Sequence, residues 1–338
     1  MRPPKATVAI ISPALRKANN GNWQTAHRWS HFLHGGYDVT LAAEWPAPGP
    51  ADALPDCLIA LHARRSAESI ARFSEACPDR PLVVVLTGTD LYRDIRSDAS
   101  AQRSLELATH LVVLQDEGLA ELSDAHRAKC RVIYQSAPAS APEAARPDRF
   151  NVVLVGHMRA EKDPLTPMQA LALLPDDSRV RLIHIGRALD EAYERAALAL
   201  EARAWPGGAP RYLWLRNLPH PETQRQIRRA QAMVISSVME GGANVIIEAV
   251  TSGVPVLASR IPGNVGMLGR DYAGYFPPGD AAQLAQMLER VSRDAGYLDH
   301  LRQQCALRAP LFAPAREREE VSKLVADALQ PKRPGASP

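Results

Sequence analysis

The sequence predicts an α/β protein made of two doubly wound parallel sheets, and three observations lead there. Short β-branched runs alternate with longer stretches of helical spacing through most of the 338 residues, the pattern of βαβ units whose strands are buried on both faces. Hydrophobic residues make up 46% of the chain and charged ones 23%, enough to fill more than one core. Midway, the stretch SAPASAPEAARPDR (Ser136–Arg149) is rich in Pro, Ala and charge and has nothing periodic to bury, so it separates two halves of similar size.

In the first half, strands are expected at Thr7–Ile11, Asp38–Ala43, Cys57–Leu61, Pro81–Leu86, His110–Gln115 and Arg131–Gln135. The alternation restarts with Phe150–Gly156, Arg179–Gly186, Arg211–Leu215, Ala232–Ser237, Val254–Ser259 and Ala273–Phe276. A helical region follows, broken near Pro310 and Pro314, where proline removes a backbone donor. The expected organisation is an N-terminal domain at 1–138, a linker at 139–149, a second domain at 150–280, C-terminal helices at 281–329 that cross back to the first domain, and a disordered tail at 330–338.

Composition narrows the function. The 40 basic and 37 acidic residues are interspersed, giving a formal net charge of +3 without the basic block of a nucleic-acid arm. The four cysteines, Cys57, Cys77, Cys130 and Cys305, are too scattered for a metal site or a disulfide framework and are expected as reduced thiols. TVAIISPAL near the N-terminus is too short for a membrane span and lacks a signal-peptide cleavage pattern. A soluble cytoplasmic protein is expected, with no nucleic-acid or membrane partner. No metal site is expected either, since the ten histidines lack HExxH spacing and no DxD-type motif is present.

Ligands of open parallel sheets collect beyond the carboxyl ends of the strands, and with two such domains that rule points to the loops lining a cleft. The loop HMRAEKDP, His157–Pro164, follows the strand NVVLV. Its Arg159 and Lys162 offer a planar fork of donors and a compact charge, a pair suited to holding a diphosphate and to stabilising the charge that grows on a phosphate leaving group. Glu161 and Asp163 beside them equally allow a self-paired, solvated loop.

VMEGGANVIIEAVTSGVPVLAS, Val238–Ser259, again follows a strand. Gly241 and Gly242 let backbone N–H groups approach a ligand closely, and the helix expected from about Ala243 aims its positive end at the same place. Glu240 on the loop could accept from sugar hydroxyls. Glu248, with seven residues between it and Glu240, lies over a turn inside the helix and could hold the two hydroxyls of a ribose. A plain strand–turn–helix–strand unit accounts for this motif alone, and accounts poorly for two such motifs at neighbouring strand ends.

GHMRAEKDP followed by EGGANVIIEA and SGVPV resembles the donor half of the family 4-type glycosyltransferases of GT-B fold, two Rossmann-like domains facing a cleft. The resemblance implies a nucleotide diphosphate sugar as co-substrate, with no cofactor required. Arg159 and Lys162 would hold the diphosphate, Glu240 with Gly241, Gly242, Ala243 and Asn244 the hexose, and Glu248 the ribose. Gly156 and Gly186 would line the nucleotide pocket, and Arg216, Asn217 and Leu218 of LRNLP would lie at the base. Arg159, Lys162 and Glu240 would form the catalytic set. Where the family commonly carries an aromatic residue and a glycine, this chain has Gly242 and Ala243, so its handling of the hexose is expected to differ.

The combination SPA…NNGNWQTAHRW, AAEW, LHARRS, LTGTDLY, GHMRAEKDP and EGGANVI is similar, across both halves, to the selenosugar synthases of selenoneine biosynthesis. That resemblance implies transfer of a hexose from UDP-N-acetylglucosamine or UDP-glucose to selenophosphate, supplied by a selenophosphate synthetase, to give a 1-selenosugar, UDP and phosphate. An alcohol acceptor needs a general base, whereas a selenium anion needs only a cationic site that orders it. Candidates for that site are Asn20, Gly21, Asn22 and Thr25 after the first strand, His62, Arg64 and Arg65 after the third, and Thr87, Thr89 and Asp90 after the fourth. Each also has a structural role open to it: Arg64 and Arg65 at a helix start, Asn20–Gly21 as a turn, Asp90 as a cap. Many relatives place a histidine near the position of Thr87. Trp29 is expected in the core, and Trp23 either as a wall of the cleft or packed beside the loop. The scaffold alone leaves open a hydroxyl acceptor, a UDP-sugar epimerase or hydrolase, and a sugar-nucleotide binding protein without turnover.

Overall fold

The computed structural model describes residues 4–13, 21–46, 54–143, 149–205 and 207–330. These form two compact units, one made of the residues up to Gln135 together with those from Pro314 onward, the other Ser136–Ala313.

The first unit holds β1 (Thr7–Ile11), β2 (Asp38–Ala42), β3 (Cys57–Leu61), β4 (Leu82–Leu86), β5 (His110–Val113) and β6 (Cys130–Val132), with helices α1 (Gly21–Leu33), α2 (Ala67–Ala76), α3 (Ile95–Ser97), α4 (Ala99–Leu107) and α5 (Asp124–Ala128). Its sheet is parallel throughout, in the order β2-β1-β3-β4-β5-β6. Leu58, Val84 and Val113 pack with Ile70, Phe73 and Leu105 on one face, while Ile59, Val85 and Val112 pack with Trp29, Leu33 and Val321 on the other. Covering both faces is what makes continuous apolar strands stable.

The second unit holds β7 (Phe150–Val155), β8 (Val180–Ile185), β9 (Tyr212–Trp214), β10 (Ala232–Ile235), β11 (Val256–Ser259) and β12 (Tyr275–Phe276), with α6 (Leu165–Ala172), α7 (Glu191–Glu201), α8 (His220–Arg229), α9 (Asn244–Thr251), α10 (Pro262–Leu268), α11 (Ala281–Arg293) and α12 (Ala295–Arg308). The order β12-β11-β10-β7-β8-β9, again all parallel, reverses direction at β7 and β10. Such a reversal point leaves a crevice at the carboxyl ends of the two strands.

All twelve strands form where the sequence places them, several with shorter ends. The trailing polar residues leave the ladder to bond elsewhere. Gln115 caps a short 3₁₀ turn through Gly118 N–H, and Ser236 and Ser237 turn their hydroxyls to neighbouring loops.

The last helix, α13 (Pro314–Ala328), packs in the first unit. Buried Glu317 accepts from the Trp29 indole N–H at 2.7 Å and from Arg28 Nε at 2.6 Å, so a carboxylate out of water is paired on two sides. Trp29 is therefore a core residue with a polar anchor. The stretch expected as a linker is tied to the second unit over its described part: Ser140 N–H donates to Thr251 O at 3.0 Å, and Glu143 pairs with Arg228 and Arg229. Residues 144–148 of that stretch and 331–338 of the tail lie outside the described residues.

Cys57, Cys77 and Cys305 are buried, Cys130 is half-buried, and none is bridged. Burial pushes the thiols of Cys57 and Cys130 up to about 12, so both stay protonated. Among the described residues no helix is long and apolar enough to cross a membrane.

Candidate functional site

The carboxyl ends of β7, β8 and β9 are drawn together around one glycine. Gly186 has φ +150°, and a Cβ placed there would lie 1.9 Å from the Gly156 carbonyl oxygen. Only glycine allows that approach. Gly186 N–H donates to Arg216 O at 2.7 Å and its carbonyl accepts from the Trp214 indole at 2.8 Å, fixing three strand ends at one point.

Arg159 and Lys162 lie on the next turn, which β10 holds in place. The Ser236 hydroxyl donates to the carbonyls of Lys162 and Asp163 at 3.1 and 2.7 Å, and Val238 N–H donates to Glu161 O at 3.0 Å. Asp163 takes φ +41° to let its carboxylate accept from Thr166 at the start of α6.

The two cations are not equally placed. Arg159 is 41% exposed, its Nε 3.9 Å from Glu161, a loose surface pair. Lys162 is 24% exposed and reaches across to Glu240, a largely buried carboxylate that also accepts from the Ser237 hydroxyl at 2.6 Å. The expected self-paired loop thus describes Arg159 with Glu161, while Lys162 joins the two motifs. With one N–H engaged by Glu240, the ammonium keeps two more for a ligand.

His157 lies beside the two cations. Its Nδ1 accepts from Arg187 N–H at 3.1 Å, and burial, followed by the charges of Arg187, Arg159 and Lys162, lowers its pKa. Burial disfavours charge of either sign, and only the smaller contribution, from the three neighbouring cations, is of the sign that suits an anion.

Glu240 and the glycines behind it rest on α10. A Cβ on Gly263 would fall 1.9 Å from the Glu240 carbonyl oxygen. Ser259 donates to Ser237 O at 2.5 Å and receives Asn264 Nδ2 at 3.0 Å, a chain of buried hydrogen bonds beneath the loop. Helix α9 starts at Asn244 with Ala243, which has no capping side chain, as its N-cap; the Ala243 carbonyl takes Ile246 N–H at 2.9 Å, and the N–H groups of Asn244 and Val245 at the positive end of the helix suit an anion. Glu248, one turn in, has a 12% exposed side chain and meets His220 Nε2 at 2.7 Å.

Of the residues expected at the base, Arg216 takes φ +54°, stacks over Trp214 at 4.1 Å and bonds to Glu201 at 2.9 Å. Asn217 is exposed and Leu218 half-buried. Sequence reasoning missed His157, Ser236, Ser237, Gly263 and His220. Polar residues at the end of an apolar strand were the signal for the serines, and Gly after Pro at a helix start was the signal for Gly263.

In the first unit, Asn20 lies outside the described residues, and Gly21 and Asn22 open α1 rather than forming a loop. Thr25 is buried, donating to Gly21 O at 2.9 Å and accepting from Gln135. Asp90 is fully buried and accepts from the N–H groups of Thr87, Gly88 and Ala63, each at 2.9 Å, so it braces two loops against each other. His62, also buried and at φ +73°, lies 3.0 Å from the Thr89 hydroxyl through Nε2 and 3.8 Å from Asp90 through Nδ1. Burial lowers the pKa of His62 against the opposing pull of Asp90. Arg64 pairs with Asp98 at 2.9 Å, and Arg65 is exposed.

A groove of about 690 Å³ between α6 and α11, lined by Leu173, Leu174 and Ala285 among others, contains none of these residues. Chemistry, not volume, singles out the strand ends. Among the described residues no cluster of three or more His, Cys, Asp or Glu side chains is arranged to hold a metal.

Known proteins share the fold and part of the sequence. Residues 149–294 match the family described as Glycosyl transferases group 1. Over 139 residues the chain is 30% identical to glycosyltransferase 1 domain-containing protein 1 of Xenopus tropicalis, a match covering 40% of this chain and 39% of that protein. Among solved structures, sucrose-phosphate synthase from Thermosynechococcus elongatus superposes with a TM-score of 0.77 at 17% identity, covering 96% of this chain and 99% of that one. Anabaena HepE in complex with UDP-glucose gives 0.74 at 15% identity, covering 95% and 99%. The architecture is that of the GT-B glycosyltransferases.

Proposed function

We propose that this chain, a GT-B scaffold with a group 1 glycosyl transferase region at 149–294, is a hexosyltransferase that moves a hexose from UDP-N-acetylglucosamine or UDP-glucose to selenophosphate. One observation carries the donor half of the reading: the Lys162 ammonium is held by buried Glu240 beside the uncapped start of α9. A preorganised cation and helix-start amides in one place are what a departing diphosphate needs.

In this reading Lys162, Arg159 and the first amides of α9 take the diphosphate, and the Glu240 loop, with Gly241, Gly242, Ala243 and Asn244, takes the hexose. Glu248 takes the ribose, Gly156 and Gly186 keep the pocket floor free of side chains, and Arg216, Asn217 and Leu218 border the base. Selenium forms its bond to C1 as the C1–O bond to UDP breaks, with the electron pair leaving on UDP. Water then cleaves the Se–P bond to give phosphate and the 1-selenosugar. The acceptor assignment is supported by the sequence likeness across both halves. Arg65, which is exposed, is the acceptor-side cation candidate of the first unit.

Mixing the protein with either UDP-sugar and selenophosphate, and following products by mass spectrometry, is expected to give a 1-selenosugar, UDP and phosphate in equal amounts. A 2-epimer, or free sugar alone, overturns the transferase reading.

A second reading, transfer to a hydroxyl, is favoured by the buried His62 with Asp90 beside it, an imidazole kept in its basic form. An alcohol glycoside formed with selenophosphate left unconsumed would select it.

Glu248→Ala is expected to weaken UDP binding roughly tenfold or more, the value of a hydrogen bond to a charged group, with little change in kcat because a ribose contact is equal in ground and transition states. Calorimetry and steady-state kinetics check this, and a pure kcat defect with intact UDP affinity contradicts it.

A further inference from the structure

Glu248 can grip a pair of adjacent hydroxyls only if its carboxylate is turned correctly before the nucleotide arrives. The side chain that meets it comes from another element. His220, the first residue of α8, places Nε2 2.7 Å from Glu248 Oε1, with the histidine 39% and the glutamate 12% exposed. A separation that short marks a strong, charge-assisted bond when either partner is ionised. It occupies one direction at Oε1 and leaves Oε2 and the remaining lone pairs for a ligand.

His220 also ends the segment that begins at Arg216, whose positive φ and stacking on Trp214 fix its course. One imidazole therefore joins the β9–α8 loop to the ribose carboxylate on α9.

We infer that His220 is a positioning residue for the nucleotide donor: it sets the Glu248 carboxylate edge-on to a ribose diol and gives the site its preference for ribonucleotides over 2′-deoxyribonucleotides. The inference rests on the assignment of Glu248 to the ribose. His220 itself touches no reacting atom, so its effect falls on donor affinity and not on the chemical step.

The test is calorimetric titration of the full chain with UDP and with 2′-deoxy-UDP, for the wild type and for His220→Ala, His220→Gln and Glu248→Ala, with kcat and KM for the UDP-sugar alongside. Wild type is expected to prefer UDP by roughly tenfold or more, the worth of a hydrogen bond to a charged group. His220→Ala should lose most of that preference, weakening UDP while scarcely altering 2′-deoxy-UDP, and should raise KM at unchanged kcat. His220→Gln, which keeps a donor, should recover part of it. If Glu248→Ala weakens UDP and His220→Ala does not, or if His220→Ala weakens both nucleotides equally, the positioning role is wrong while the ribose assignment stands. If Glu248→Ala leaves UDP affinity untouched, the ribose assignment itself fails.

Discussion

Lys162→Ala is expected to lower kcat by about 100- to 1,000-fold, the loss seen when one preorganised donor is removed from a developing negative charge. Two effects add. The ammonium proposed to meet the diphosphate disappears, and Glu240, 8% exposed, keeps the Ser237 hydroxyl as its one side-chain partner among the described residues. A buried carboxylate stripped of its cation would then repel the leaving group that the pair is proposed to seat. Lys162→Arg keeps the charge but not the compact head, so partial recovery is expected. Arg159→Ala moves the same way by less, because that side chain is 41% exposed and only loosely paired. Steady-state kinetics with a UDP-sugar decide the matter, and unchanged kcat in both alanine variants removes the diphosphate clamp from the account.

Gly186→Ala has the largest expected effect on stability. A methyl group 1.9 Å from the Gly156 carbonyl oxygen cannot be accommodated by a rotamer change, since the obstacle is backbone. The substitution also forces an L-residue to φ +150°. Strain of about 1–3 kcal/mol for the dihedral alone, with the clash added, points to a loss of about 4 kcal/mol or more. Scanning calorimetry should show the melting temperature falling by about 10 °C, with UDP affinity reduced in the protein that remains folded. A variant melting within about 2 °C of the wild type would mean that the β7 and β8 loops can separate at little cost.

These two positions differ in how far the sequence disclosed them. Lys162 was legible because a cation directly after an apolar strand is already at a carboxyl edge once the strand is assigned, and the strands were assigned from composition and periodicity. Gly186 was legible only as a strand-ending glycine. Its contact with Gly156, thirty residues away, depends on β8 lying next to β7 in register, which local pattern does not encode. The same holds for Gly263 under Glu240 and for His220 against Glu248, each pairing segments that follow different strands.

The candidates of the first unit show the opposite difficulty. Asp90 looked like a ligand-facing residue because it follows a strand, yet three backbone N–H groups fill its carboxylate. Polar residues at strand ends serve both ligands and loop architecture, and the sequence does not distinguish the two until the backbone partners are known. Glu317 was missed for a related reason, since a carboxylate in a charged helical stretch reads as solvated until Arg28 and Trp29 are found beside it.

The claim on which the rest depends is that Lys162, seated on Glu240, meets the second phosphate of a uridine diphosphate. Calorimetric titration of the wild type and of Lys162→Ala with UDP and with UMP tests it most directly. The expected result is a wild-type preference for UDP of roughly tenfold or more, the scale of one charge-assisted hydrogen bond, that collapses in Lys162→Ala while UMP affinity stays the same. Equal affinity of the wild type for both nucleotides, or an undiminished preference in the variant, would contradict it.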